Sequence, residues 1–327
     1  MNLLLRNILL IFLEVYGVHS SPPTSVPSAG PRTMSSSFPS SGPSTMSSAV
    51  CQYKIGFLGF GDWGKGGVNG DIRSISSGSN VHALANDDPG GIYIADGNNK
   101  QAYTYQVAMA GSMNEWIVND HEIQFVVALG DNFYGDGVSS TTDQMWVTHW
   151  SEVYLEYNSL KVPWYSVFGN HDYGYGEQGL QAQIDRSTAG LDAYWSTPAS
   201  TYTKIFKLCG GGSVQIVFTD TTVLAPSQTR ATYEGISEEQ QAARIAAVQE
   251  SLTIIFEESM KDPPDWLLLM GHYPIYSTGS HGDNEELLQN LLPFFEKYNV
   301  NAYFSGHDHV SEVCFIANSM TKMSITT

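Results

Sequence analysis

The stretch Phe125-Val126-Val127-Ala128-Leu129-Gly130-Asp131-Asn132-Phe133-Tyr134 is an apolar run that ends in a glycine and a carboxylate. Five apolar residues bounded by a turn residue read as a buried strand. In α/β sheets, ligands gather beyond the carboxyl ends of strands. A glycine there tolerates positive φ and lets the chain turn, so that Asp131 can project into such a crevice. One Gly-Asp after a strand is ordinarily just a turn. The same ending recurs, however, in Phe60-Gly61-Asp62, Phe168-Gly169-Asn170, Met270-Gly271-His272 and Ser305-Gly306-His307. Five strands then deliver Asp, Asp, Asn, His and His to one rim, and every one of these side chains carries a metal donor.

Further donors follow closely. Tyr134 lies three residues after Asp131, and His309 lies two after His307, on the same face of an extended segment. His171 directly follows Asn170, and His281 lies nine residues after His272. The donors sort into two sets. Asp62, Tyr134 and His309, with a share of Asp131, suit a hard trivalent ion, with iron(III) the natural candidate. Asn170, His272 and His307, with the other oxygen of Asp131, suit a divalent ion such as Fe, Zn or Mn. Asp131 would bridge ions about 3.5–4 Å apart, as in other two-metal sites.

Outward from these motifs, Ile55–Phe60, 163–168, 214–219, Trp266–Met270 and 302–304 also read as buried strands. Helices are expected over 102–116, 144–157, 237–260 and 283–298. Ser237 with Gln240, and Asp283 with Glu286, have capping-box spacing, and Pro293 should kink the last helix. Strand-helix alternation of this length predicts an α/β layered domain. Residues 1–20 read as a secretory signal peptide: Arg6, the short apolar run Ile8–Leu13, and a cleavage site near Val18-His19-Ser20. The segment is too short and broken to span a membrane. Residues 21–50 form a Ser/Pro/Thr-rich linker; positions 20–50 hold twelve serines and six prolines, too little apolar surface to order the chain. Residues 51–327 read as the one folded domain, the one that carries the donor motifs.

Acids outnumber bases 33 to 15, giving a formal charge of −18. Such a chain is poorly suited to a phosphate backbone, so nucleic acid is excluded as a partner. With 42% hydrophobic residues, wholesale disorder is excluded too. Cys51, Cys209 and Cys314 cannot make a disulfide-dense scaffold, and one bridge or three free thiols both remain open.

The motif set Gly61-Asp62-Trp63-Gly64, Gly130-Asp131-Asn132-Phe133-Tyr134, Gly169-Asn170-His171-Asp172, Gly271-His272-Tyr273-Pro274 and Gly306-His307-Asp308-His309 resembles the purple acid phosphatases, within the calcineurin-like metallophosphoesterases. The resemblance covers about residues 53–309 and is closer to the small, tartrate-resistant type. Most metallophosphoesterases begin with Asp-x-His; here the histidine position is Gly64, and Tyr134 supplies the donor instead, which marks the purple branch. The resemblance implies a β-sandwich flanked by helices, in four αββα layers. It implies iron(III) on Asp62, Tyr134 and His309, a bridging Asp131, and the divalent ion on Asn170, His272 and His307. His171 and His281 match the family's outer histidines, which contact the phosphoryl oxygens or protonate the leaving group. The implied activity is hydrolysis of phosphate monoesters, small esters and phosphoproteins among them, in a secreted or lysosome/vacuole-like compartment. Water acidified by the trivalent ion and a histidine acid charged below neutrality imply an acidic optimum. The alternatives are a phosphodiesterase or nucleotide phosphatase of the same superfamily, and a metal-binding but non-catalytic protein.

The remaining candidates have plainer readings. His19, His82, His121 and His149 read as ordinary polar positions, Asp220 as structural, and Trp146 and Trp150 as core. Asp172 and Asp308 are expected to orient neighbouring histidines. Glu238, Glu239, Glu285 and Glu286 read as solvated helix starts. After His309 the chain reads as a polar tail without strand alternation, unlike the family's continuation. The fold is therefore expected to be truncated at its C-terminal end.

Overall fold

A computed structural model describes residues 11–16, 54–68, 92–94, 102–119, 122–209, 211–228, 236–315 and 323–326. The linker, His19, His82 and His121 lie outside the described residues. Strands are numbered in chain order. The first sheet runs, in spatial order, β1 (Ile11–Tyr16), β2 (Lys54–Phe60), β5 (Phe125–Ala128), β6 (Trp164–Ser166) and β7 (Trp195–Ser196). The second runs β12 (Glu312–Phe315), β13 (Met323–Thr326), β11 (Ala302–Ser305), β10 (Trp266–Met270), β9 (Ser213–Phe218) and β8 (Tyr202–Lys207). A two-stranded ribbon pairs β3 (Ile92–Ile94) with β4 (Ala102–Thr104). Strands β2, β5, β6 and β7 are parallel, as are β9, β10, β11 and β13; the antiparallel strands β1, β8 and β12 lie at edges.

Alternation along each strand builds three apolar layers. Ile55 and Phe57 face the second sheet's Ile216, Phe218, Leu268, Met270 and Phe304. Leu58 and Phe60 point the other way, into a layer with Trp63, Trp146, Trp150, Trp164 and Trp195. On the far side, Leu267, Leu269 and Tyr303 meet the helices through Leu252, Phe256, Leu287 and Phe295. Strands buried on both faces lose the polar half of the period-2 pattern, which is why they read as continuous apolar runs. The helices are α1 (Tyr105–Val118), α2 (Gly176–Thr188), α3 (Thr221–Leu224), α4 (Glu238–Ser259), α5 (Glu285–Asn290) and α6 (Leu292–Tyr298). The fold is thus the expected α/β fold, with two sheets flanked by helices.

Several local expectations need correction. The tryptophan segment is a short π-helix over Trp146–Ser151, its start held by Asp143, which accepts from the amides of Ser139 and Met145. The expected helix over 102–116 gives its first three residues to β4. Helix α2 was not foreseen, because its start lies in a Gly- and Tyr-rich stretch. The last helix breaks at Leu291, and its cap is Asn284, which accepts from the Leu287 amide at 3.0 Å. Asp283 instead accepts from the Ser277 amide at 3.0 Å. The segment read as a polar tail contributes β12 and β13, and Ser305 and Thr326 hydroxyls meet at 3.1 Å. His149, read as an ordinary polar position, is fully buried, with Nδ1 2.9 Å from the Thr148 hydroxyl.

Candidate metal centre

The carboxyl ends of β2, β5 and β6 in one sheet and of β10 and β11 in the other converge. Asp62, Asp131, Asn170, His272 and His307 follow those ends within a few residues. Asp62 Oδ2 accepts from the His307 amide at 2.8 Å, which ties the two sheets together. Tyr134 donates its hydroxyl to Asp62 Oδ1 at 3.1 Å and lies 3.3 Å from His309 Nε2, which is itself 3.3 Å from Asp62 Oδ1. On the other side, His272 Nε2 lies 3.2 Å from Asn170 Oδ1 and 3.4 Å from Asp131 Oδ1. Donor atoms of Asp62, Asp131 and His272 all fall within 4.8 Å of one another. Six of the seven expected donors therefore fall in two groups with Asp131 close to both, and the His307 ring lies 5.1 Å from that of His272.

The role of the motif glycines differs from expectation. Only Gly130 has positive φ, at 90°. The left-handed conformations fall on the donors themselves: Asp62 (58°), Asp131 (51°), His307 (77°) and His309 (52°). Non-glycine residues there carry a cost of order 1–3 kcal/mol each and cluster at functional sites. The other glycines are needed for room: a Cβ at Gly169 would fall 2.2 Å from Asp131 Oδ1, and one at Gly306 2.7 Å from Asp62 Oδ2.

Burial and mutual charge set the protonation of these groups. Burial works to raise the pKa of Asp62, but the His309 hydrogen bond, the nearby histidines and the His307 amide outweigh it and hold the carboxyl at about 2. Burial, and then the charge of His272, push His307 down to about 2, leaving a neutral imidazole suited to a ligand. Burial raises Tyr134 well above its ordinary value, and the charges of Asp131 and Asp62 add to this. Burial opposes the charged form of His272, yet Asp131 and Asp62 raise its pKa overall. The Asp62 hydrogen bond raises that of His309.

One close contact and one orphaned atom test whether an ion fits. His272 Nδ1 donates to the Leu129 carbonyl at 2.8 Å, so the lone pair of Nε2 faces the oxygens of Asn170 and Asp131. Only a proton or a cation between them relieves that contact. His307 Nε2 is buried with no hydrogen-bond partner among the described residues. Together with two buried carboxylates, these atoms form a cluster able to coordinate one or more metal ions.

The outer histidines are held by their other nitrogens. His171 Nδ1 donates to the Gly135 carbonyl at 2.8 Å, leaving Nε2 4.0 Å from Asp131 Oδ2. His281 Nδ1 bonds to Asp308 Oδ1, and its ring packs on His307 with centroids 4.3 Å apart. Asp308 also accepts from the Ser277 hydroxyl, while Glu312 accepts from the Thr278 amide at 3.0 Å. Asp308 thus orients a histidine, as expected. Asp172 does something else: it accepts from Gly169 N at 2.8 Å, Asn132 N at 3.2 Å and Gln183 Nε2 at 2.9 Å, stapling two motif loops. Burial, with the charge of Asp131, raises it to about 7. Sequence reading missed Thr221, whose Oγ1 accepts from the amides of His272 and Tyr273, both at 2.9 Å. Only its position one residue after Asp220 signalled it.

The calcineurin-like phosphoesterase family profile matches residues 57–311. Purple acid phosphatase 3 of Arabidopsis thaliana is 30% identical over 227 residues, covering 68% of this chain and 57% of that protein. Human tartrate-resistant acid phosphatase type 5 is 31% identical over 187 residues, covering 57% of this chain and 55% of that one. The chain therefore spans little more than half the length of these relatives. Among solved structures, GAP50, the anchor in the inner membrane complex of Plasmodium, superimposes with a TM-score of 0.56 at 22% identity, over 83% of this chain and 70% of that one, a likeness of fold alone. Two sheets whose strand ends converge on a carboxylate-histidine cluster, and a family match across nearly all of that framework, make this chain a member of the calcineurin-like phosphoesterase family.

Proposed function

We propose that this chain is a binuclear acid phosphatase of the purple acid phosphatase kind, acting on phosphate monoesters. The observation that carries the reading is Tyr134, whose hydroxyl lies 3.1 Å from Asp62 and 3.3 Å from His309, in the position of an anionic oxygen donor. The likeness to purple and tartrate-resistant acid phosphatases supports it. Asp62, Tyr134 and His309 would hold iron(III), Asn170, His272 and His307 a divalent Fe, Zn or Mn, and Asp131 both. When bound, the ions supply acidification of water and positive charge for the phosphoryl group.

The chain's own groups do the rest. His281 is anchored through Nδ1, so its Nε2 is the atom that donates a proton to the leaving oxygen. His171, anchored through the Gly135 carbonyl, holds a phosphoryl oxygen with Nε2. The apolar leader and a disulfide at Cys209 support export to an oxidising compartment.

The test is metal analysis beside aryl phosphate hydrolysis across pH. We expect two ions per chain, a coloured protein, and more activity in acid than above neutrality. Tyr134→Phe should abolish the colour. Persistent colour in that variant, or maximal hydrolysis well above neutrality, overturns the reading; two bound ions without turnover would mark a non-catalytic protein.

A further inference from the structure

We infer that Glu312 is a positioning residue: from β12 it holds Thr278, and through Thr278 it fixes the loop that aims His281. The inference rests on the phosphatase reading, in which His281 is the proton donor, and adds to it a second anchor for that donor.

The loop lies between the His272 motif and α5, and most of its side chains do not pack. Thr278, Ser280, His281 and Asp283 are all exposed. A segment with few buried contacts opens easily unless hydrogen bonds hold it. Its base is closed by the Asn284 amide, which donates to the Ile275 carbonyl at 3.0 Å. Within it, the Ser277 amide donates to Asp283 Oδ1 at 3.0 Å, the Gly279 amide to Ser277 Oγ at 2.9 Å and the Gly282 amide to the Gly279 carbonyl at 3.3 Å. These bonds shape the loop but tie it to no other element.

Asp308 and Glu312 tie it down from outside. Asp308, between His307 and His309, accepts from the Ser277 hydroxyl and the His281 amide and bonds His281 Nδ1. Glu312 Oε2 accepts from the Thr278 hydroxyl at 2.7 Å and the Thr278 amide at 3.0 Å, and Oε1 lies 3.3 Å from the same amide. Hydrogen bonds to an ionised carboxylate are the stronger class. Held by Asp308 alone, the loop would pivot about that carboxylate. A second hold, on a different element, fixes the direction in which His281 Nε2 points.

The second sheet puts Glu312 where this hold is possible. Glu312 pairs with Thr326 of β13, and Thr326 lies beside Ser305 of β11, directly before Gly306-His307. Two strand spacings, about 10 Å, thus separate Glu312 from the strand end that delivers His307. Because β12 is antiparallel to β13, it begins at the rim where the donors gather, and Glu312 is its first residue.

A general acid works only within hydrogen-bond reach of the oxygen it protonates. Displacement by about 1 Å costs up to about a hundredfold. Loss of one anchor should therefore show in the step that needs the acid, and least where the leaving group needs no proton.

The experiment compares wild type, Glu312→Ala and Glu312→Gln. The first readout is amide hydrogen exchange over residues 277–283 of the full chain, which needs no turnover. We expect exchange there to be about tenfold faster in Glu312→Ala, and close to wild type in Glu312→Gln, which keeps an acceptor for Thr278. The second readout, on the metal-loaded proteins, is kcat and KM for an alkyl phosphate and for p-nitrophenyl phosphate. Glu312→Ala should lower kcat for the alkyl ester about tenfold, with KM held within about twofold, and lower that for the aryl ester by less than about threefold. Glu312→Gln should restore the alkyl rate. Equal losses for both esters would show that Glu312 merely supports the fold, and unchanged exchange would show that it does not hold the loop; either result overturns the inference. If wild type hydrolyses neither ester, the phosphatase reading falls, and exchange still decides whether Glu312 anchors the loop.

Discussion

Asp308 is not among the proposed metal donors, yet it fixes His281, the proposed proton donor. Its carboxylate, buried at 4% exposure, holds His281 Nδ1, the His281 amide at 3.3 Å and the Ser277 hydroxyl. Gly279 must lack a side chain, since a Cβ there would fall 2.6 Å from Asp308 Oδ2. A carboxylate behind an imidazole sets its tautomer and orientation. Asp308→Asn should therefore lower kcat for an alkyl phosphate, a poor leaving group, by about ten- to a hundredfold. For an aryl phosphate with a good leaving group the loss should be only a few-fold. Equal losses for both substrates would mean that Asp308 merely supports the fold. The residues that could be read from the sequence were those repeating a pattern: strand, glycine, donor. Thr221 and Asp172 were not legible in their roles, because no local signal says which distant amide a side chain will meet.

At the scale of elements, α3 shows how a short capped turn supports the centre. Asp220 accepts from the Thr222 amide at 3.0 Å and from the Tyr173 hydroxyl, and the next residue, Thr221, receives the His272 amide. Burial raises the Asp220 carboxyl to about 6, against the pull of the Tyr173 hydrogen bond. A carboxyl with a raised folded-state pKa stabilises the fold fully below its unfolded value of 3.8 and loses that contribution as pH rises through about 6. Asp220→Asn does not titrate. In urea unfolding of the metal-free protein, the stability of wild type relative to this variant should fall by about 2–3 kcal/mol from pH 4 to pH 7. A gap that does not move with pH would refute the assignment. The capping box at Ser237 was legible and is present: Ser237 Oγ accepts from Gln240 N at 3.2 Å, and Gln240 Oε1 from Ser237 N at 2.9 Å. The choice between Asp283 and Asn284 was not, because both residues are good caps and the Ser277 loop claims one of them.

At the scale of the molecule, the centre lies on the seam between two sheets. The first supplies Asp62, Asp131, Tyr134, Asn170 and His171, and the second His272, His281, His307 and His309. Within the apolar layer below, Phe57 meets Phe125 and Phe304 at 5.1 and 6.0 Å. Buried carboxylates at the seam repel each other unless a cation lies between them. Ions held at that position would bind only the folded state and would stabilise it by about 4 kcal/mol at a thousandfold excess over Kd. Chelation should accordingly lower Tm by about 10 °C in calorimetry, and re-addition of iron should restore it. An unchanged midpoint would show that the seam is held by the apolar layer alone.

The sequence by itself determined the α/β class, the buried strands and which polar side chains gather at the strand ends. Those features are written in local pattern: apolar runs, and donors at a fixed offset from a glycine. Only the tertiary structure decided that the donors rather than most of the glycines take the left-handed backbone, and that the segment after His309 enters the second sheet. These depend on how close two strand ends come, and that distance is set by packing between sheets, which no single segment encodes.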